Sequence, residues 1–190
     1  QVNGQGVVGF VADVKFGREA GLFEEPIEVQ LSCTTPGSTI VFSTDGSIPT
    51  LVNGTTIAPS GDMLPTSAKV TLDDTTNLRA AAFKLNWQPS PTRTRTFIFP
   101  QKVLQQSNPQ PAIEGWSDFA MDSRVVDNPQ PGYDVKTALY ALPSISLTAP
   151  MPDFFGDNGI YTKSSSRGPE WERPISFDIL YPDCRKGFQA

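Results

Sequence analysis

The sequence predicts a mainly β protein whose larger part is an antiparallel β-sandwich. Short runs of strand-forming residues recur along the first half of the chain, and turn residues end each run. The chain of 190 residues also contains 18 Pro and 15 Gly, which favours short strands and turns over long helices. Six or seven strands within about 85 residues are typical of an immunoglobulin- or fibronectin-type sandwich.

The clearest strand is the run PIEVQLSC at residues 26–33. Its apolar residues Ile27, Val29, Leu31 and Cys33 alternate with polar residues, which is the period of a half-buried strand. We therefore expect these four side chains to lie in the core. Because it is on the apolar face, Cys33 is expected to be a buried, inert thiol.

Five more runs read as strands bounded by Gly, Pro, Asn or Asp: 38–44, 54–58, 68–72, 77–84 and 92–99. The segment LRAAAF could also form a helix, since Ala tolerates either state, but its strand neighbours favour a strand. Asp45 and Gly46 end one run and predict a tight turn. The Asp45 side chain is expected to accept backbone N–H bonds there.

The composition changes after Pro100. The stretch 101–135 carries SNPQP and DNPQPG without a sustained period, and a short helix is expected near 133–141. Two strand-like runs, 144–149 and 175–181, flank a long loop. The predicted organisation has four parts in chain order: a lead-in at 1–13, the sandwich at 14–99, an extended linker at 100–135 and a small β-rich segment at 136–190.

Charge and composition exclude several classes of function. The net charge is −5 and the cations are scattered singly, so nucleic-acid binding is not expected. No apolar run reaches the 18 residues of a transmembrane helix. Histidine is absent, which excludes Ser-His-Asp and Cys-His nucleophile systems and histidine-type zinc sites.

Acidic residues offer two further candidate chemistries, calcium binding and glycoside hydrolysis. The TDGS and DNG segments, Asp62 and the pair Asp73-Asp74 carry oxygen ligands, but no calcium-loop pattern is present, so turns are favoured. The paired carboxylates Glu24-Glu25, Asp73-Asp74 and Glu170/Glu172 lie in polar surroundings, and solvated surface acids are favoured over a catalytic pair. We expect no enzyme activity, no catalytic residue, no metal site and no cofactor.

Three tryptophans, Trp87, Trp116 and Trp171, are the candidate carbohydrate-binding residues, because flat aromatic rings can stack on sugars. The alternative is that these rings pack against the protein's own core. The two cysteines, Cys33 and Cys184, could form a disulfide or remain free, and sequence alone leaves this open.

Several motifs in order resemble one family. An opening with Gly21, Phe23 and Pro26 is followed by the turn TPG, the corner FSTDGSIPT, the step NGT and the run LRAAAFKLNWQPS. Over about 15–99 this is similar to the chitobiase/β-hexosaminidase C-terminal-type domain, also called the Fn3-associated domain. The resemblance implies an immunoglobulin-like domain that often accompanies glycan-degrading enzymes.

A second resemblance lies at 142–188, where LPSISL, DFFG, GIY, WERP and YPD occur in order. This resembles the opening of a CotH-kinase-like region in large bacterial exported or surface proteins. Cys184 stands where Gly is usual, and the nucleotide-binding lysine and metal-binding acids of that family lie beyond this chain. The resemblance therefore implies a segment without kinase activity.

The sequence thus predicts a non-catalytic structural or protein-interaction module of an exported protein, periplasmic or at the cell surface. Exposed edge strands and the Pro-rich arm would dock on other protein subunits of a larger assembly. The alternative is a carbohydrate-binding accessory module with a polysaccharide partner, which rests on fold-level analogy. An enzyme is the third and least favoured hypothesis.

Overall fold

A computed structural model describes residues 6–108, 120–127, 132, 134–183, 185 and 187–189. Within these residues the protein is mainly β, as predicted, and its α-helices have only four or five residues. In chain order the strands are β1 (Lys15–Phe16), β2 (Gly21–Leu22), β3 (Ile27–Cys33), β4 (Thr39–Ser43), β5 (Thr55–Ile57), β6 (Thr66–Leu72), β7 (Thr76–Phe83), β8 (Arg93–Ile98), β9 (Ser144–Thr148) and β10 (Ser176–Leu180).

The chain divides into two compact units, each built from separate stretches of sequence. The first unit comprises Gln1–Glu19, Ile27–Leu72 and Thr76–Arg95, and the second comprises Ala20–Pro26, Asp73–Thr75 and Thr96–Ala190. Strand β8 begins in the first unit and ends in the second.

One sheet has the order β1-β3-β6. Strands β3 and β6 pair antiparallel over seven residues without a bulge, from Ile27 opposite Leu72 to Cys33 opposite Thr66. The side chains of β3 alternate between buried and more exposed, so the period-two prediction is confirmed. Because one face of this strand is buried, a shift by one residue would bring its polar residues into the core.

The other large sheet has five strands in the order β2-β8-β7-β4-β5. Strand β4 pairs antiparallel with β5 and with β7. The LRAAAF segment forms part of β7, so the strand prediction is confirmed, and residues 78–82 are buried without alternation. A strand in the middle of a sheet, covered on both faces, is compatible with small residues such as Ala.

The core of the first unit comes from both sheets, which is the arrangement of an antiparallel β-sandwich. Val29 and Leu31 of β3 and Ile40 of β4 are fully buried. Cys33 is a free, buried thiol whose Sγ lies 3.3 Å from the Ala12 carbonyl oxygen, where the thiol donates a weak hydrogen bond. The mainly β sandwich predicted from the sequence is therefore confirmed.

The second unit contains the short elements that follow β8. Helix α1 (Pro100–Leu104) begins with proline, whose missing N–H costs nothing at that position, and α2 (Ser123–Val126) and α3 (Val135–Leu139) follow. The sequence indicated a helix near α3. Strands β9 and β10 form an antiparallel two-stranded sheet, as expected. Helix α4 (Met151–Phe155) lies in the predicted loop, so that expectation was wrong there.

Candidate functional site

Three connections and the amino-terminal segment meet at one end of the first unit. The register places the end of β3 beside the start of β6, and the start of β4 beside the end of β7. The β3–β4, β5–β6 and β7–β8 connections therefore leave the sandwich at the same end. The backbones of the first two connections are linked, since the Gly37 N–H donates to the Leu64 carbonyl at 3.0 Å.

The amino-terminal segment lies along the β7–β8 turn at this end. The Val8 N–H donates to the Asn86 carbonyl at 2.9 Å, and the Gln88 N–H donates to the Gly9 carbonyl at 2.9 Å. Asn86 has a positive φ of 62°, a conformation that Asn tolerates better than most residues. This left-handed residue turns the chain and leaves the preceding side chain, Leu85, directed away from the core.

Large apolar side chains are exposed on these connections. Phe10 is 80% exposed, Met63 83% and Leu85 87%. The group is called here the loop-end surface and consists of Val7, Val8, Phe10, Met63, Leu64 and Leu85. Single exposed apolar residues are common, but a group at one end of a sandwich is a candidate interaction surface.

Trp87 lies beside the loop-end surface and is half-buried. The Lys84 ammonium lies over its ring at 4.9 Å from the centroid. Gly9 approaches the ring so closely that a Cβ on that residue would be 3.0 Å from the indole. The cation and the backbone thus cover part of the ring, and Trp87 packs against its own unit more than it faces solvent.

The structure says less about the other two candidate tryptophans. Trp171 is the last residue of a 3-10 helix, Pro169–Trp171, in the second unit and is half-buried. Trp116 lies outside the described residues, as does Cys184. The stacking role of the three tryptophans therefore stays a prediction.

The predicted Asp45 turn is present at the opposite end of the sandwich. The Ser47 N–H and hydroxyl donate to Asp45 Oδ1 at 3.0 and 2.6 Å, and these two bonds lower the pKa of the Asp45 carboxyl. Gly46 has φ 79°, which glycine adopts without strain. The Gly46 carbonyl accepts a 2.7 Å hydrogen bond from buried Arg79. Asp45 therefore stabilises a turn that is itself anchored to the sandwich.

The paired carboxylates lie on the surface, as expected. Both residues of each pair are exposed. Glu24 accepts hydrogen bonds from Lys136 and, at 2.5 Å, from the Tyr140 hydroxyl, and these contacts lower its pKa. A carboxyl held ionised in this way is unsuited to act as a general acid.

A buried carboxylate that sequence reasoning missed is Asp178 in β10. The Thr96 hydroxyl donates to Asp178 Oδ2 at 3.0 Å and lies 2.8 Å from Ser146 Oγ. All these groups belong to the second unit. Hydroxyl donors stabilise the charge of a buried carboxylate, so this cluster is a structural link between strands.

Sequence reasoning also missed the loop-end surface. Phe10, Met63 and Leu85 lie far apart in sequence, and no periodic pattern connects the apolar residues around them. The available signal was an apolar residue at a turn, as in KLNW around Leu85.

In the part of the chain that the structure describes, no group of three or more acidic or cysteine residues could hold a metal ion.

One family model matches part of the chain. Residues 18–94 match the family model of the chitobiase/beta-hexosaminidase C-terminal domain, which confirms the first resemblance. The match covers fewer than half of the 190 residues. This domain is an accessory domain of carbohydrate-active enzymes, and no catalytic domain is matched. Neither the curated proteins nor the solved structures include a significant match to the chain.

The second resemblance is not supported by these comparisons. They give no support for a CotH-kinase-like region at 136–190. Short motifs such as WERP and YPD are too small to establish a family. Among the described residues, no helix combines the length and the apolar character needed to cross a bilayer.

Proposed function

We propose that this chain is a non-catalytic docking module that binds another protein subunit through the loop-end surface. The module would belong to an exported protein, periplasmic or at the cell surface, since the matched domain occurs in secreted glycosidases. The observation that carries the proposal is the exposure of Phe10, Met63 and Leu85 on adjoining connections.

The chemistry of the loop-end surface suits a protein partner. Its exposed side chains are aliphatic apart from Phe10. Removal of aliphatic groups from water by a protein partner lowers the free energy, whereas sugars prefer the flat face of an aromatic ring. The loops are held on a rigid sandwich by backbone hydrogen bonds, so little ordering is needed on binding.

A double substitution tests the proposal. The chain carrying Phe10→Ser and Leu85→Ser is immobilised and exposed to an extract of the source organism, beside the unmodified chain. We expect the unmodified chain to retain one protein in a fixed ratio and the double variant to lose it, because two exposed apolar contacts are removed. Circular dichroism and the unfolding midpoint should stay unchanged.

The matched control lies at the opposite end of the sandwich. Leu51 and Val52 are exposed at 65% and 97% in the β4–β5 connection. The variant carrying Leu51→Ser and Val52→Ser loses similar apolar surface and should retain the partner. Equal loss in both double variants, or no partner at a fixed ratio, contradicts docking through the loop-end surface.

The carbohydrate alternative is supported by the family match alone. It predicts that chitin-type or algal polysaccharide in a native gel retards the chain. Retardation should then disappear in Trp87→Ala or Trp171→Ala and persist in the loop-end double variant. Absence of retardation with every polysaccharide tested rejects this alternative.

A further inference from the structure

Strand β6 has one free edge. On its inner side it pairs with β3 along all seven residues. On its outer side, no backbone hydrogen bond joins residues 66–72 to any residue that the structure describes. Because alternate residues of an antiparallel strand point their N–H and C=O groups outward, three or four residues of β6 present unpaired groups at this edge.

The other edges of the two large sheets are protected because their edge strands are short. Strands β1 and β2 have two residues each and β5 has three. Strand β6 has seven residues, contains no Pro or Gly, and is not interrupted by a bulge. Natural edge strands are blocked by such features or by charged side chains, and an unblocked edge is a template for another strand. The one charged residue of β6 is Lys69, and its ammonium is paired with Glu28 of the neighbouring strand.

We propose that the free edge of β6 accepts an extended strand from a protein partner, which becomes the fourth strand of the β1-β3-β6 sheet. The proposal deepens the docking function above and rests on it, by giving the partner a second contact. Extended backbone is the occupant that matches a row of unpaired N–H and C=O groups.

The side chains of β6 specify the partner strand further. Ala68 and Val70 are on the core face but only half-buried, so apolar residues at alternate positions of a new strand would complete their burial. Lys69 points to the other face, where its ammonium lies 2.7 Å from Glu28 of β3. An acidic residue in the new strand would contact Lys69 from the opposite side.

Charge disfavours a second copy of this chain as the occupant. Two β6 strands that overlapped along their full length would be symmetric about the midpoint, Lys69. That arrangement would place two lysines directly opposite each other, which destabilises a strand pair. The partner strand is therefore expected to come from a different sequence, with alternating apolar residues and an acid.

A peptide of known sequence serves as the probe. The heptapeptide IEVQLSS copies β3 with serine in place of cysteine, and it alternates apolar residues with polar ones, including an acid. We expect labelled peptide to bind the full chain saturably in fluorescence anisotropy. Amide hydrogen exchange should show new protection at three or four alternate residues of β6 and not at the other edge strands.

Charge reversal tests the role of Lys69. We expect Lys69→Glu to weaken peptide binding about fivefold, the size of one strong cross-strand pair. A peptide with lysine in place of its glutamate should regain that affinity on Lys69→Glu. The control is Lys163→Glu, an equal change of charge at an exposed position of the second unit, and it should bind as the unmodified chain does.

The two proposals fail separately. The variant with Phe10→Ser and Leu85→Ser should bind the peptide with unchanged affinity, because the loop-end surface does not include β6. No saturable binding, or binding without new protection in β6, overturns the edge proposal whatever the loop-end experiment gives. If the unmodified chain binds the peptide but retains no partner protein, docking through the loop-end surface is overturned and the edge proposal is not.

Discussion

The two compact units differ in how their apolar and polar contacts are arranged. In the first unit, long strand pairs bury apolar residues from two sheets, including Val29, Leu31 and Ile40. In the second, the buried rings of Phe97 and Phe99 lie against Phe23, the helices have four or five residues, and side-chain hydrogen bonds link distant segments. Examples are the hydrogen bonds of Glu24 with Tyr140 and of Thr96 with Asp178.

This difference affects how much each residue contributes. The stabilising free energy of apolar burial is roughly proportional to the apolar surface removed from water, and a close-packed core resists changes in volume. Contacts between exposed ionic groups, such as Lys136 with Glu24, contribute little because water screens them. We therefore expect substitutions of fully buried apolar side chains to have the largest effects on stability.

The largest expected effect is at Leu31. This residue is fully buried, so Leu31→Ala should lower the free energy of unfolding by about 2–5 kcal/mol through lost burial and a cavity. Leu147 of β9 is 51% exposed, and Leu147→Ala should cost about 1 kcal/mol or less. Urea unfolding of both variants measures the difference. Equal costs would contradict burial as the source of the difference.

A backbone position in the first unit gives the next effect. Gly54 has φ 112°, and a Cβ there would lie 2.6 Å from the Phe42 carbonyl oxygen. Gly54→Ala should therefore cost about 2–3 kcal/mol. Gly61→Ala is the control, because a Cβ there would meet Leu64 only at an ordinary 3.5 Å. Thermal unfolding should separate the two variants, and a shared midpoint would show that the β4–β5 connection relaxes.

The hydroxyl of Thr96 tests the second unit. Thr96→Val keeps the shape and removes the donor to buried Asp178, so it should cost about 1–3 kcal/mol. Thr96→Ser keeps the hydroxyl and should cost less. Denaturant midpoints measure both. If valine is as stable as serine at this position, side-chain hydrogen bonding does not stabilise the second unit as described.

The smallest expected effect is the dependence on pH from Asp45. Bonds from Ser47 lower the folded-state pKa of this carboxyl below its ordinary value of 3.8. The resulting stability is complete above that ordinary value and is lost as pH falls through the folded-state pKa.

The matched variant for this effect is Asp45→Asn, which titrates at no pH. Between about pH 4 and 2 the unmodified chain should lose up to about 1 kcal/mol more stability than the variant, since the group is exposed and screened. Urea midpoints across that range provide the measurement. Parallel curves would exclude this contribution.

Much of the first unit could be predicted because its signals are local. The alternation in β3 and the Asp45-Gly46 turn each depend on a few neighbouring residues, and both were predicted correctly. The second unit was harder, since helix α4 lies in a segment read as loop. Helices of five residues lack a full amphipathic period, so their sequences carry little signal.

The sequence by itself determined the mainly β class, the positions of the strands of three or more residues and the burial of Cys33. The tertiary structure decided which segments meet: Phe10, Met63 and Leu85 at the loop end, Asp178 beneath Thr96, and β6 at a free edge. The physical reason is the distance along the chain over which each kind of interaction acts. Periodicity and turn chemistry act between near neighbours, whereas strand order and the exposure of an edge depend on pairing between residues far apart in the chain.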